Sequence, residues 1–314
     1  MSRATEDWPA LPLEQWRDTC ATLQLWTQVI GKLRLAQTPW LNHSWHVPLY
    51  VTARGLTTSP IFVGERALEA FFDFIDHKLS MLSSDGRRAE LDLVPRTVAE
   101  FYGRVQSMLQ ALGFGIPIHS MPNEIADAIA FEDDTLHRSY DADYAHRFWR
   151  VLLQSTRVFA QFRTSFLGKS SPVHFFWGSF DLALTRFSGR RAPPHPGGVP
   201  HLPDAVVREA YSHEVASAGF WPGGNGADAS FYSYAYPEPP GYRDATVAPR
   251  AAAFDARFGE FLLPYEALRS APDPAGELLS FLQTTYEAAA DRGGWDRAAL
   301  ECSLGKPGVP RRIG

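Results

Sequence analysis

The residues that could do chemistry are histidines at the starts of apolar, aromatic segments. The chain has ten histidines. His43 and His46 lie just ahead of the string VPLYVTARGLTTSPI, and His174 opens HFFWGSFDLALTRFSGR. His213 and Glu214 begin the next such segment, and Glu260 lies on a later one. A divalent metal takes three or four nitrogen and oxygen ligands, often histidine with a carboxylate. His46, His174 and His213 would supply that set if the fold brought them together, with Glu214 or Glu260 completing it. Without a metal, His46, His174, His213 and Glu214 are candidates for general acid–base catalysis. The plainer reading is that each histidine satisfies a local hydrogen bond beside an aromatic ring. His77, His119, His137 and His146 have no notable company.

Aromatic residues crowd the same segments: Trp45, Tyr50, Trp177, Tyr211, Trp221 and the run Tyr232, Tyr234, Tyr236. Strand alternation puts the three run tyrosines on one face. A face of polar-tipped rings can line a ligand pocket, or can be a half-buried sheet surface with phenols reaching water. Arg54 and Arg186 stand at even spacing from His46 and His174, which predicts a shared strand face for each pair. An arginine there suits a carboxylate or phosphate ligand; the plainer reading is a surface ion pair. The candidate ligand-binding residues are therefore Tyr50, Arg54, Trp177, Arg186, Trp221 and Tyr234.

Two long helical patterns precede the histidine segments. In Leu13–Leu35, Trp16, Leu23, Trp26, Ile30 and Leu33 recur at near-helical spacing. In Asp141–Leu167, Trp149, Leu152, Val158, Phe159 and Phe162 form the apolar stripe. The paired helix–histidine–strand order predicts an internal duplication, with a site between two pseudo-symmetric halves. Strands are expected over 46–58, 67–82, 89–94, 116–121, 172–187, 209–222, 230–237 and 258–264. Thr97 with Glu100 is a capping box for a helix ending at Gly113, and a last helix is expected over 275–292. RRAPPHPGGVPHLPD reads as an exposed loop. The expected organisation is a tail over 1–10, a first half over 11–125, a second over 126–300 and a tail over 301–314. Hairpin-like turns between strand runs predict an α+β fold with antiparallel sheet and packed helices rather than a doubly wound one.

With 314 residues, 45% hydrophobic and 21% charged, the chain is long enough and apolar enough for a sizeable core. The net charge of −5 and the lack of a basic stripe argue against nucleic acid. Cys20 and Cys302, the two cysteines, make no disulfide framework or thiolate zinc site. No apolar run suits a signal peptide or a membrane span, so a cytoplasmic protein with no membrane partner is expected. There is no GxGxxG, hence no nicotinamide fingerprint. Gly168-Lys169-Ser170 imitates a P-loop end, but the loop's first glycine would be Arg163, inside a helix. His213-Glu214 begins an HExxH string that fails at Ser217.

The strings HVPLYVTARGLTTSPI, SPVHFFWGSFDLALTRFSGRRAPP, AYSHEVASAGFWPGG and FGEFLLPYEALR resemble a family of bacterial proteins of about this length, known only as a domain of unknown function. The resemblance covers Trp8 to about Leu300 and implies one full-length family unit; it carries over no activity and no catalytic residues. Two readings of function follow from the residues. One is an enzyme acting on a small molecule in an aromatic, histidine-containing cleft, by metal-assisted or His/Glu acid–base chemistry. The other is a small-molecule binding protein using the same cleft without chemistry. Neither the substrate nor the oligomeric state is legible.

Overall fold

Helix α1 (Leu13–Gln37) runs through the middle of the molecule rather than over its surface. Its apolar residues are buried, as the stripe requires, but so are Thr22, Thr27, Gln28, Lys32 and Arg34 on its other sides. The computed structural model describes residues 7–224 and 226–311. Of the expected tails, residues 1–6 and 312–314 lie outside the described residues. Within the first tail Trp8 is buried, with its ring 6.4 Å from those of Phe231 and Tyr265.

Two antiparallel sheets flank α1. The first contains β1 (Tyr50–Val51), β2 (Gly55–Thr57), β3 (Ile61–Val63), β4 (Arg66–Asp73), β5 (Lys78–Ser83) and β6 (Arg88–Asp92), in the order β1-β2-β4-β5-β6 with β3 also on β4. The second contains β7 (His174–Phe176), β8 (Asp181–Arg191), β9 (His213–Gly224), β10 (Ala227–Tyr236), β11 (Ala253–Asp255) and β12 (Glu260–Pro264), in the order β11-β12-β10-β9-β8-β7. The remaining helices are α2 (Val98–Ala111), α3 (Ala142–Arg163), α4 (Asp204–Ala210), α5 (Tyr265–Arg269), α6 (Pro274–Arg292) and α7 (Arg297–Leu300). The fold is α+β, as the sequence predicts. A single hydrophobic core runs through both sheets and the long helices. Each part has a long helix, a meander and a closing helix, but the strand orders differ in β3 and β11, and the topology does not establish an internal duplication.

Helix limits follow the expected caps. Thr97 Oγ1 accepts from the Glu100 N–H at 3.1 Å, and Gly113, at φ 71°, follows the end of α2. Several expected strands are instead hairpins. Asp73 Oδ1 accepts from the N–H groups of Ile75 and Asp76, both at 2.9 Å, and this turn divides 67–82 into β4 and β5. Turns likewise divide 46–58 into β1 and β2, and 172–187 into β7 and β8. The 116–121 segment forms no strand; Lys32 takes the Met121 carbonyl at 2.9 Å instead.

The sheets meet edge to edge at one point. Leu49 and Phe175 exchange two backbone hydrogen bonds, both 2.8 Å. His46 lies shortly before Leu49 and His174 immediately before Phe175, so the junction draws the two histidine segments together. The junction sits beside α1, whose buried amide Gln28 donates to Asn123 O at 3.0 Å and accepts from Asn123 N at 2.8 Å. Gln28→Leu would leave both Asn123 backbone groups unpaired and is expected to cost ~2–3 kcal/mol, read as a lower urea midpoint. An unchanged midpoint would show that this tether contributes nothing.

Candidate functional site

The second sheet has two unlike faces. Leu182, Leu184, Phe220, Phe231, Phe261 and Leu263 point to one side and are buried against the layer of α3 and α6. The alternate residues point to the other side and floor a cavity of about 610 Å³, a size usual for small-molecule sites. His174 pairs with Ala183, Ala183 with Gly219 and Gly219 with Tyr232, which sets one row across four strands. Gly219 is required there, because a Cβ would overlap the Tyr232 ring and the Leu182 carbonyl. Ser217 and Thr185 share a hydrogen bond of 2.9 Å beneath this row.

The roof comes from three irregular or short segments. One is the stretch before β1, with Trp40, His43, Trp45 and His46. Another is Asn123 and Glu124, and the third runs from Val199 through α4 to Tyr211. The Pro/Gly-rich loop expected to be merely exposed thus contributes Val199, Leu202 and Pro203 to the cavity wall. Trp40 Nε1 donates to Glu209 Oε2 at 2.5 Å, tying the first roof segment to α4. Trp177 donates to Val47 O at 2.9 Å, and its indole fills the space over Gly31 of α1.

Besides the exposed Asp228 of β10, three carboxyl groups line this cavity from three different elements: Glu124 from the roof, Asp181 from β8 and Glu260 from β12. Asp181 accepts hydrogen bonds from the hydroxyls of Ser179 and Tyr232. Among the described residues, Glu124 and Glu260 have no side-chain hydrogen bond or ion pair. Burial, and then the neighbouring Asp181, push each of these two carboxyls up to about 7. Burial also raises Asp181, against the pull of its two hydroxyl donors. Glu124 holds a left-handed backbone, φ 62°, with its N–H on Pro200 O at 2.9 Å. Strain of this kind gathers at functional sites. The phenols of Tyr211 and Tyr234 share a 2.8 Å hydrogen bond on the same floor.

Burial favours the neutral form of the cavity histidines. Burial lowers His174 to about 3, with Arg34 adding to the effect. Burial lowers His46 as well, again with Arg34 adding to it, while a hydrogen bond to Leu41 O opposes. His174 Nδ1 and His46 Nε2 have no hydrogen-bond partner, although the residues are only 1% and 2% exposed. His43 is placed by two contacts, Nδ1 on Ala210 O at 2.9 Å and Nε2 accepting from Lys169 at 2.6 Å.

The structure brings together His46, His174, Trp177, Trp221 and Tyr234 of the sequence-derived set. It corrects the others. His213 lies beyond the β8–β9 register shift, opposite Arg191, with its ring 5.9 Å from His43 and outside the cavity lining. Glu214 is held by Ser188 at 2.8 Å and Arg190 at 2.7 Å. Arg54 is an ion pair with Asp73 at 2.5 Å and Asp76 at 2.7 Å. Tyr50 packs 5.6 Å from the Arg34 guanidinium. Arg186 points to the opposite side of the sheet, buried among Phe162, Phe166 and Tyr286. The turn between β7 and β8 resets the alternation, so even-numbered His174 shares its face with odd-numbered Asp181 and Ala183. Among the described residues no group of three His, Cys, Asp or Glu side chains could hold a metal, so His46, His174 and His213 do not form one. Glu124 gave no sequence signal at all.

A family model covers residues 8–302, nearly the whole chain. The chain belongs to DUF5996, a family of unknown function. No curated protein and no solved structure matches it. Within this member of DUF5996, no described helix is long and apolar enough to cross a membrane.

The raised Glu124 carboxyl has a stability consequence. Its folded value of about 7 lies above the ordinary 4.5. Folding therefore suffers no penalty below pH 4.5, loses stability as pH rises toward 7, and keeps that loss above it. Glu124→Gln should match the parent at pH 4 and exceed it at pH 8 by about 1–3 kcal/mol, measured by urea unfolding. Equal stability at both pH values would show that this carboxyl is not held protonated.

Proposed function

We propose that the chain is an enzyme that carries out general acid–base chemistry on a small organic molecule in this cavity. The observation that carries the reading is the pair Glu124 and Glu260, two unpartnered carboxyls held near 7 within an aromatic enclosure. A proton-transfer group works best when its pKa lies near the working pH, and such perturbation gathers at functional sites. In this reading Glu124 and Glu260 exchange protons with the substrate, and Asp181 keeps their charge in check. The neutral imidazoles of His46 and His174 offer hydrogen-bonding nitrogens to orient it. Trp177, Trp221 and Tyr234 supply walls and a polar tip for its body. The reading needs no metal, and the three-histidine arrangement is not part of it.

The rival is a small-molecule binding protein without chemistry. It is favoured by one observation: among the described residues, no hydrogen bond joins a histidine to a cavity carboxyl. The two readings separate in one experiment. Incubating the purified protein with a complex small-metabolite extract and following it by mass spectrometry should show specific compounds consumed. Their turnover should depend on pH with an inflection near 7, and should fall at least about 100-fold in Glu124→Gln or Glu260→Gln. His213→Ala should leave turnover unchanged, because that ring lies outside the cavity. Compounds retained by the protein but returned unaltered would support the binding reading and sink the catalytic one.

A further inference from the structure

The charge pattern of the cavity carries a statement about its ligand. Four acidic side chains line it, Glu124, Asp181, Asp228 and Glu260, and no lysine or arginine does. Cations that contact lining residues are already engaged. Arg34 donates to His46 O at 2.9 Å and to Thr58 O. Lys169 donates to His43 Nε2 at 2.6 Å and sits 4.8 Å from the Phe187 ring. Burial lowers the cavity histidines and raises the phenols of Tyr211, Tyr232 and Tyr234, which favours the uncharged form of each. An anionic ligand would meet carboxyls with no lysine or arginine among the lining residues to compensate them. Burying a carboxyl without a partner is costly, and Glu124 and Glu260 are both left in that condition. His174 Nδ1, almost fully buried and unpartnered, is a further unused polar group on this wall.

The walls match the charge. Phe176 and Trp221 line the enclosed space, while Trp45 and Phe187 already hold the Lys169 ammonium at 5.3 and 4.8 Å and Phe258 holds the Arg257 guanidinium at 4.5 Å. Ring faces attract cations, most strongly when water is excluded. We infer that the cavity takes an organic cation, an ammonium group on an aromatic or apolar body, with the ammonium placed among Glu124, Asp181 and Glu260. The inference rests on the cavity being the ligand site, as in the reading above, but it does not depend on catalysis. A bound ammonium would supply the hydrogen-bond donors and the charge that Glu124 and Glu260 lack. The body would occupy the ring-lined remainder.

The test is calorimetric titration of the full chain at pH 8 with three probe sets sharing one body. They are tryptamine and phenethylamine, their neutral alcohols, and their carboxylate counterparts indole-3-propionate and 3-phenylpropionate. At least one amine is expected to bind ten times or more tightly than both its alcohol and its carboxylate. In Glu124→Gln and Glu260→Gln that preference should shrink at least tenfold while alcohol binding persists, which also reports that the variants fold. Equal or tighter binding of a carboxylate or alcohol would overturn the inference, as would failure of both amines to bind at millimolar concentration. A preference for the carboxylates would sink the cation and leave the acid–base reading standing. Amine binding without any turnover in the metabolite experiment would do the reverse.

Discussion

The architecture depends on a helix that is buried yet not wholly apolar. Along α1, four long polar side chains reach out to backbone groups of distant segments. Gln24 takes Gly178 O at 2.8 Å, Gln28 pairs with Asn123, Lys32 takes Met121 O, and Arg34 takes the carbonyls of His46 and Thr58. A buried polar group is costly unless paired, and paired it specifies one arrangement. All but the bond to Thr58 end on or beside a segment of the cavity: the β7–β8 turn, the Glu124 segment, or the stretch before β1. The helix core and the site are therefore one construction. Burial of Lys32 lowers its ammonium to about 8, a cost the Met121 carbonyl offsets in part.

This coupling explains what could be read in the sequence and what could not. Short-range signals were legible. The Thr97–Glu100 cap, the glycine stop at Gly113, the long helices and the shared face of Tyr232 and Tyr234 all depend on neighbours within a few residues. His46 and His174 both line the cavity, drawn toward each other by the long-range Leu49–Phe175 junction, while the duplication that suggested their equivalence is not established. Arg186 failed for a countable reason: alternation was carried across a turn that resets it. His213 failed because it is the first residue of β9, one alternation step before Val215, and lies beside His43 outside the cavity lining. Glu124 was not legible at all. It stands in an irregular segment, and what positions it is a pair of groups 95 positions apart, Gln28 and Asn123. Loop residues set by such contacts carry no periodicity to read.

The ionisation states in the cavity pull stability in opposite directions. His174, lowered by burial, contributes a penalty as pH falls from its ordinary 6.5 toward 3. Glu124 and Glu260, raised by burial, contribute a penalty as pH rises from 4.5 toward 7. The two ranges overlap, so no pH between them relieves both. Surface ion pairs elsewhere in the chain, such as Arg243 with Glu238 at 2.8 Å, show that the sequence readily pairs its carboxylates. In the cavity Glu124 and Glu260 have no such partner among the described residues.

The origin of the three carboxyls makes their meeting a property of tertiary structure alone. Asp181 is set by the β7–β8 hairpin, Glu260 by the outer part of the second sheet, and Glu124 by a loop that α1 holds down. No single element contains two of them. Gln28 pairs with Asn123 beside the loop, and the Glu124 carboxyl lies against Gly178, where the lack of a Cβ leaves room for it. The small residue in the turn, the amide in the central helix and the strained backbone at Glu124 thus act together.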